Sequence, residues 1–294
     1  MVTVHAIEAE NLSKSFGEVP AVEGLNLTVD AGEVVGFLGP NGAGKSTTLR
    51  LLLGLLRPTH GSATIVGHRA GSLLARQHVA YVPGDVALWT QLTGREAIAF
   101  MGSLHGSFDD DYRDRLFERF ELDPDKRIRA YSKGNRQKVA IIGAFATRAA
   151  VLLLDEPTSG LDPLMERAFR ECIVEAAGRG QAILLSSHML GEVDHLCTRV
   201  AMIRHGRLVT VADVAELRLR VGVEFDVVGS VGDLSGVAGV SSVTPLVDGV
   251  RIHLTGEPGP LLAALAQHSV VSLRTREASL EEIFLSYYDE STSP

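Results

Sequence analysis

An α/β fold with a helical insert and a small C-terminal α+β domain is predicted by three observations. The stretch "GEVVGFLGPNGAGKSTTLRLLLGLL" joins an apolar run, a glycine loop and a leucine-striped helix, which is the pattern of a parallel α/β unit. The texture then turns helical over about 86–148, before apolar strand-like runs resume. Beyond Arg218 apolar and polar residues alternate and no phosphate-type loop occurs. The expected domains are therefore 1–218, carrying the insert, and 219–294.

Taken in order, the chain opens with a short strand from Val4 to Ala9, a turn through Ser15, Phe16 and Gly17, and a second strand near Leu25 to Val29. A buried strand follows at Val34 to Leu38, then the glycine loop and a helix with Leu49, Leu52, Leu53 and Leu56 on one face. "RPTHG" stops that helix. In "FDDDYRDRLFERF", Tyr112, Leu116, Phe117 and Phe120 share one face of an amphipathic helix. A strand at Val151 to Leu154, a helix around Leu164 to Ala177 and a strand at Ala182 to Leu185 restore the α/β pattern, followed by "RVAMIRHGRLV". In the tail, Val223, Phe225 and Val227 alternate, as do Val250, Ile252 and Leu254. "PLLAALAQH" reads as a short helix. The last helix is signalled by a capping box, Ser279 with Glu282, and by a stripe of Leu280, Ile283, Phe284 and Tyr287.

The 294 residues, 45% of them hydrophobic, suffice for one large domain with an appendage or for two domains. A net charge of −8 argues against a dedicated nucleic-acid binder, whose footprint is basic. Two cysteines, Cys172 and Cys197, cannot make a disulfide framework or a zinc cluster, so buried reduced thiols are expected. No apolar run reaches the roughly 18 residues of a membrane span. The N-terminus lacks the order of a signal peptide, so a cytosolic protein is expected, one still able to dock on a membrane protein.

"GPNGAGKST" fits G-x-x-x-x-G-K-[ST] through Gly39, Gly44, Lys45 and Ser46. Its glycines let backbone N–H groups turn inward around phosphates, Lys45 adds charge, and the Ser46 hydroxyl suits Mg²⁺. The dinucleotide alternative fails, because Thr47 stands where G-x-G-x-x-G needs its third glycine after Gly42 and Gly44. "VLLLDEP" ends a buried strand in two carboxylates. Alternation would point Asp155 and Glu156 differently, one toward a metal shell and the other toward an attacking water; an ordinary acidic strand end is the competing reading. Glu156 is then a general-base candidate. His188 follows the strand "AILLSS", where it is either a structural histidine or a γ-phosphate contact. Asp162 in "SGLDP" reads as a helix cap or turn residue. In "AYSKGNRQK", Ser132 and Gly134 stand at a helix start, a second anion site far from the first.

With these motifs in this order, residues 1–218 resemble the nucleotide-binding subunit of an ABC transporter. "GPNGAGKST" matches the Walker A loop, "YSKGNRQK" the signature, "VLLLDEP" the Walker B strand and "SGLD" the D-loop, with His188 as the switch histidine. The resemblance implies a P-loop NTPase core of the ABC ATPase type, with an antiparallel β subdomain and an inserted helical subdomain. It implies ATP held by Phe16, Gly39, Asn41, Gly42, Gly44, Lys45, Ser46, Thr47, Ser132, Gly134 and Asp162. Mg²⁺ would sit on Ser46 and Asp155, and catalysis would fall to Glu156 and His188. It also explains two anion sites in one chain, because two subunits of such a homodimer sandwich two ATPs head to tail. Ser132 and Gly134 of one subunit then cap the phosphate held by Lys45 of the other. The implied partner is a separately encoded polytopic permease, with no nucleic acid and a peripheral place on the inner face of the cell membrane. The tail, "ASLEEIFLSYY", looks like that of ABC-2-type exporters of drugs and antibiotics. The competing class is a soluble ABC ATPase acting on ribosomes or DNA, whose usual paired cassettes, long coiled coil or zinc cysteines are missing from this sequence.

Two positions depart from the family pattern. Lys133 and Asn135 replace the glycine and glutamine commonest in the signature. Gly84 in "YVPGDVALW" stands where a glutamine usually senses Mg²⁺ and water, with Asp85 or a backbone carbonyl as the available substitute.

Overall fold

The structure is a computed structural model and describes residues 5–105, 108–187, 190–234, 236–277 and 279–289. The chain forms two compact units, one ending at Val211 and the other beginning at Ala212.

The first unit carries two sheets. An antiparallel sheet of order β2-β1-β4-β5 is made from β1 (Ile7–Phe16), β2 (Val19–Val29), β4 (His60–Ile65) and β5 (His68–Arg69). The hairpin is longer than the sequence predicts and turns at 17–18. Register shifts between Ala9 and Ser15 break the apolar alternation that would have announced it. The second sheet has order β10-β9-β3-β8-β7-β6, from β3 (Val34–Leu38), β6 (Val79–Val82), β7 (Val151–Asp155), β8 (Ala182–Ser187), β9 (Arg199–Arg204) and β10 (Arg207–Asp213). β3 runs parallel to β8 and β9, and β7 runs parallel to β6 and β8. Every residue of β3, β7 and β8 is buried, as expected for strands covered on both faces. One apolar core runs beneath both sheets: Ile7, Leu25 and Ile65 join Phe37, Leu153 and Leu184, with Leu49 from α1 (Lys45–Leu52).

Helices flank this core. α2 (Leu73–Gln77) leads into β6, and the helical insert supplies α3 (Gly94–His105), α4 (Asp110–Arg119) and α5 (Lys133–Ala146). Tyr112, Leu116, Phe117 and Phe120 are all buried, so the predicted face of α4 is the one it buries. α6 (Pro163–Gly178) stacks Phe169 edge-on against Phe145 of α5, and α7 (Leu190–Leu196) follows β8. Cys172 and Cys197 are free and buried.

The second unit is a four-stranded antiparallel sheet of order β12-β13-β11-β14, from β11 (Val223–Ser230), β12 (Val240–Leu246), β13 (Gly249–Leu254) and β14 (Ser269–Glu277). Phe225, Val227, Ile252 and Leu254, the alternating residues of the sequence, form its core with Leu261 and Leu265 of α9 (Gly259–Leu265). α8 (Val214–Val221) packs on α10 (Leu280–Asp289) within this unit. The Ser279–Glu282 capping box is formed, because the Ser279 N–H donates to Glu282 and the Glu282 N–H to the Ser279 hydroxyl.

Candidate nucleotide-binding site

Parallel strands put their C-terminal ends along one sheet edge, where α/β folds bind ligands. Here the pairing sets Asp155 of β7 beside Ser186 of β8, and Ser187 beside Leu38 of β3. The glycine loop starts immediately after Leu38 and closes at Gly44. Gly44 adopts φ 112°, and a side chain there would meet the Ala21 carbonyl oxygen at 2.6 Å, so only glycine fits. α1 begins at the next residue with no side-chain cap, so its first-turn N–H groups lack intrahelical acceptors.

A cavity of about 160 Å³ opens there. Asn41, Gly42, Gly44, Lys45, Ser46 and Thr47 line it together with Glu156, Ala21 and Pro40. Lys45 is buried, and its ammonium donates to the carbonyls of Gly39 (2.5 Å) and Pro40 (3.2 Å). Burial lowers its pKa from the usual 10.5, while the Glu156 and Asp155 carboxylates oppose that shift. Asp155 is buried and accepts a hydrogen bond from the Ser186 hydroxyl at 2.7 Å, and a longer one from the Tyr81 hydroxyl at 3.5 Å. The Tyr81 hydroxyl is pushed up to about 12 by burial first and by Asp155 second. Glu156 leaves the strand with φ 48°, a left-handed backbone, and its N–H donates to the Ser186 carbonyl.

The cavity thus unites most of the glycine-loop residues with Glu156; Gly39 does not line it but accepts from Lys45, and Asp155 does not line it but acts on Lys45 through its charge. Phe16, Ser132, Gly134 and Asp162 do not line it. Phe16 is 52% exposed at the end of β1, with the Lys14 ammonium 5.2 Å above its ring. Ser132 caps α5, accepting from the Asn135 N–H, and a side chain on Gly134 would strike the Gly160 carbonyl oxygen at 2.5 Å. Asp162 caps α6, accepting from the N–H groups of Leu164 and Met165. His188 lies outside the described residues. Gly84 packs its α-carbon beside the Asp155 carbonyl, where an added side chain would sit 3.1 Å away; Asp85 is exposed and does not line the cavity. Sequence reasoning missed Ala21, Tyr81 and Ser186. Only Ser186, a polar residue ending a buried strand, carried any signal.

Residues 22–159 match the family described as ABC transporter. The chain is 34% identical to the daunorubicin/doxorubicin resistance ATP-binding protein of Streptomyces peucetius, over 95% of this chain and 91% of that one. It is 32% identical to the Nod factor export ATP-binding protein I of Sinorhizobium fredii, over 95% of this chain and 85% of that one. A solved ATP-binding subunit of an ABC transporter superposes with a TM-score of 0.69 at 32% identity, covering 72% of this chain and 92% of that one. The chain therefore belongs to the ATP-binding proteins of the ABC transporter family, and it is an ATP-hydrolysing cassette.

Proposed function

We propose that this cassette dimerises around two ATP molecules and drives a separate polytopic permease, exporting a drug-like or antibiotic compound. The observation that carries the hydrolytic half is the convergence of Lys45, Ser46 and Glu156 on one cavity at the sheet edge. The export half is supported by relatives named for drug resistance and for Nod factor export. Among the described residues no helix is long and apolar enough to cross a membrane, so in this reading the pathway belongs to the permease and the chain sits peripherally on the inner membrane face.

Each residue has a task. The N–H groups around Gly42 and Gly44 and the Lys45 ammonium bind the phosphates. The donors near them suit Mg²⁺: Ser46 at the cavity wall and Asp155, oriented by Ser186, offer hard oxygens and leave room for water and phosphate. When bound, the ion neutralises charge on the phosphates. Glu156 lies at the cavity wall, where its carboxylate orients the attacking water and accepts its proton. Phe16 stacks on adenine, and His188 contacts the γ-phosphate. Ser132, Gly134 and Asp162 act on the nucleotide held by a second copy.

Glu156→Gln tests the hydrolytic assignment. The variant keeps its shape and loses the proton acceptor, so ATP binding should persist while turnover falls about 100-fold or more. Equilibrium binding and phosphate release, measured side by side, read the two effects separately. Near-normal turnover would remove Glu156 from the reaction.

A further inference from the structure

Glu156 stands in the left-handed region at φ 48°, where a side chain is disfavoured, so its surroundings must hold it there. Part of that hold is backbone. The Glu156 N–H donates to the Ser186 carbonyl at 2.9 Å, and the Ser159 N–H closes a turn on the Glu156 carbonyl at 3.2 Å. The rest comes from α5. Lys133 donates to the Ser159 hydroxyl at 3.2 Å in an exposed contact, and Gly134 packs against the Gly160 carbonyl.

Gln137, one turn further along α5, is 1% exposed. Its amide nitrogen donates to the Pro157 carbonyl at 2.8 Å and makes a longer contact with the Pro83 carbonyl at 3.5 Å. Both neighbours are acceptors, so the nitrogen and not the oxygen of the amide faces them. Pro157 directly follows Glu156, and Pro83 directly follows β6, the strand paired with β7. One buried side chain therefore bridges the two loops that leave neighbouring strands at the cavity edge. The second loop bears on the same place. A side chain added to Gly84 would sit 3.1 Å from the Asp155 carbonyl oxygen and 3.7 Å from the Glu156 β-carbon. Gln137 itself does not line the nucleotide cavity.

We propose that Gln137 is a positioning residue for hydrolysis, whose bond to the Pro157 carbonyl fixes the turn that carries the Glu156 carboxylate. The proposal rests on the general-base reading of Glu156 given above. A base must stand within hydrogen-bond reach of the attacking water, and a misplacement of about 1 Å can cost roughly 100-fold in rate. Without the Gln137 donor the turn loses its buried tie to α5, while the phosphate loop, which Gln137 does not reach, keeps its hold on ATP.

Gln137→Met tests it, since methionine fills similar space and donates nothing. The control is Gln181→Met. Gln181 is also buried, and its amide donates to the Ala149 carbonyl at 2.6 Å, but it stands where β7 and β8 begin, at the far ends of these strands from the cavity. Thermal unfolding, equilibrium ATP binding and steady-state phosphate release are measured on the full chain. Both variants should melt earlier and bind ATP as the unaltered chain does, while kcat falls roughly 10-fold or more in Gln137→Met alone. Adding Gln137→Met to Glu156→Gln should lower the residual turnover no further, because the group being positioned is already gone. Unchanged kcat in Gln137→Met, an equal loss of kcat in Gln181→Met, weakened ATP binding at unchanged kcat, or a further loss in the double variant would each overturn the proposal. Gln137→Glu, which keeps the shape and removes the amide donors, takes the same test if the methionine variant does not fold. Slow Glu156→Gln with fast Gln137→Met sinks only the positioning role, whereas near-normal Glu156→Gln removes the general base and this proposal with it.

Discussion

At position 156 a glutamate holds a backbone conformation that favours glycine. Asp155 ends β7, and the left-handed step at φ 48° turns the chain off the strand and brings Glu156 to the cavity wall. A side chain in that region costs roughly 1 kcal/mol. Glu156→Gly should therefore be more stable than Glu156→Ala by about 1 kcal/mol, a melting difference of roughly 2–4 °C, while both lose hydrolysis. Thermal unfolding without nucleotide measures the difference, and equal melting would remove the strain argument. The same residue marks how far the sequence could be read. Strand alternation predicts that Asp155 and Glu156 point apart, yet the separation arises from a turn that no residue pattern announces. Lys45, Ser46 and the loop glycines were legible because their spacing is dictated by the backbone path itself. Ser186 and Tyr81 were not, since their bonds to Asp155 depend on the register of three strands distant in sequence.

Among the elements, α4 ties the helical insert to the core through a polar cluster. Asp109 caps α4, accepting from the Tyr112 N–H at 2.8 Å, and its other oxygen accepts two bonds from Arg148. Arg148 also stacks 3.6 Å from the Tyr112 ring centre, and the Tyr112 hydroxyl donates to Glu175 of α6. The backbone bond from Tyr112, and then Arg148, hold the Asp109 carboxyl below its ordinary 3.8. A depressed folded value means that the contribution is complete above 3.8 and fades as pH falls below it through the folded value. Asp109→Ala should cost about 1–2 kcal/mol at neutral pH, mostly from the lost cap. Denaturant titrations across pH should show that gap constant near neutrality and closing below pH 3.8; a gap that widens in acid would reverse the assignment. The central strands were readable from their apolar runs and α6 from an apolar face at helical spacing: Val34–Leu38, Val151–Asp155, Pro163–Gly178 and Ala182–Ser187 all lie within a residue or two of the sequence reading. The β4–β5–α2 stretch was not. His60, Gly61 and Ser62 are exposed, so half of β4 carries no apolar period, and β5 spans two residues.

For the whole molecule, the issue is whether Ser132 and Gly134 serve the nucleotide of a second copy, as proposed above. Ser132 and Gly134 do not line the Lys45 cavity, which fits a signature that serves a second copy. Consider one chain with Lys45→Ala, disabled at its own phosphate loop, and another with Ser132→Arg, disabled at its signature. Each homodimer then has two defective sites, for opposite reasons. In a mixed dimer, Lys45 of the second chain meets the intact Ser132 of the first, which restores one complete site, while the other site collects both lesions. Mixing should create ATP occlusion that neither variant shows alone, at about one nucleotide per mixed dimer, as two-fold head-to-tail pairing requires. Occlusion reads the site more directly than turnover, because hydrolysis can require both sites together. Differential tags confirm that mixed dimers form, and filter binding after a chase with unlabelled ATP counts what is trapped. If confirmed mixed dimers trap no more ATP than the separate variants, Ser132 acts within its own chain and the head-to-tail arrangement is wrong for this protein.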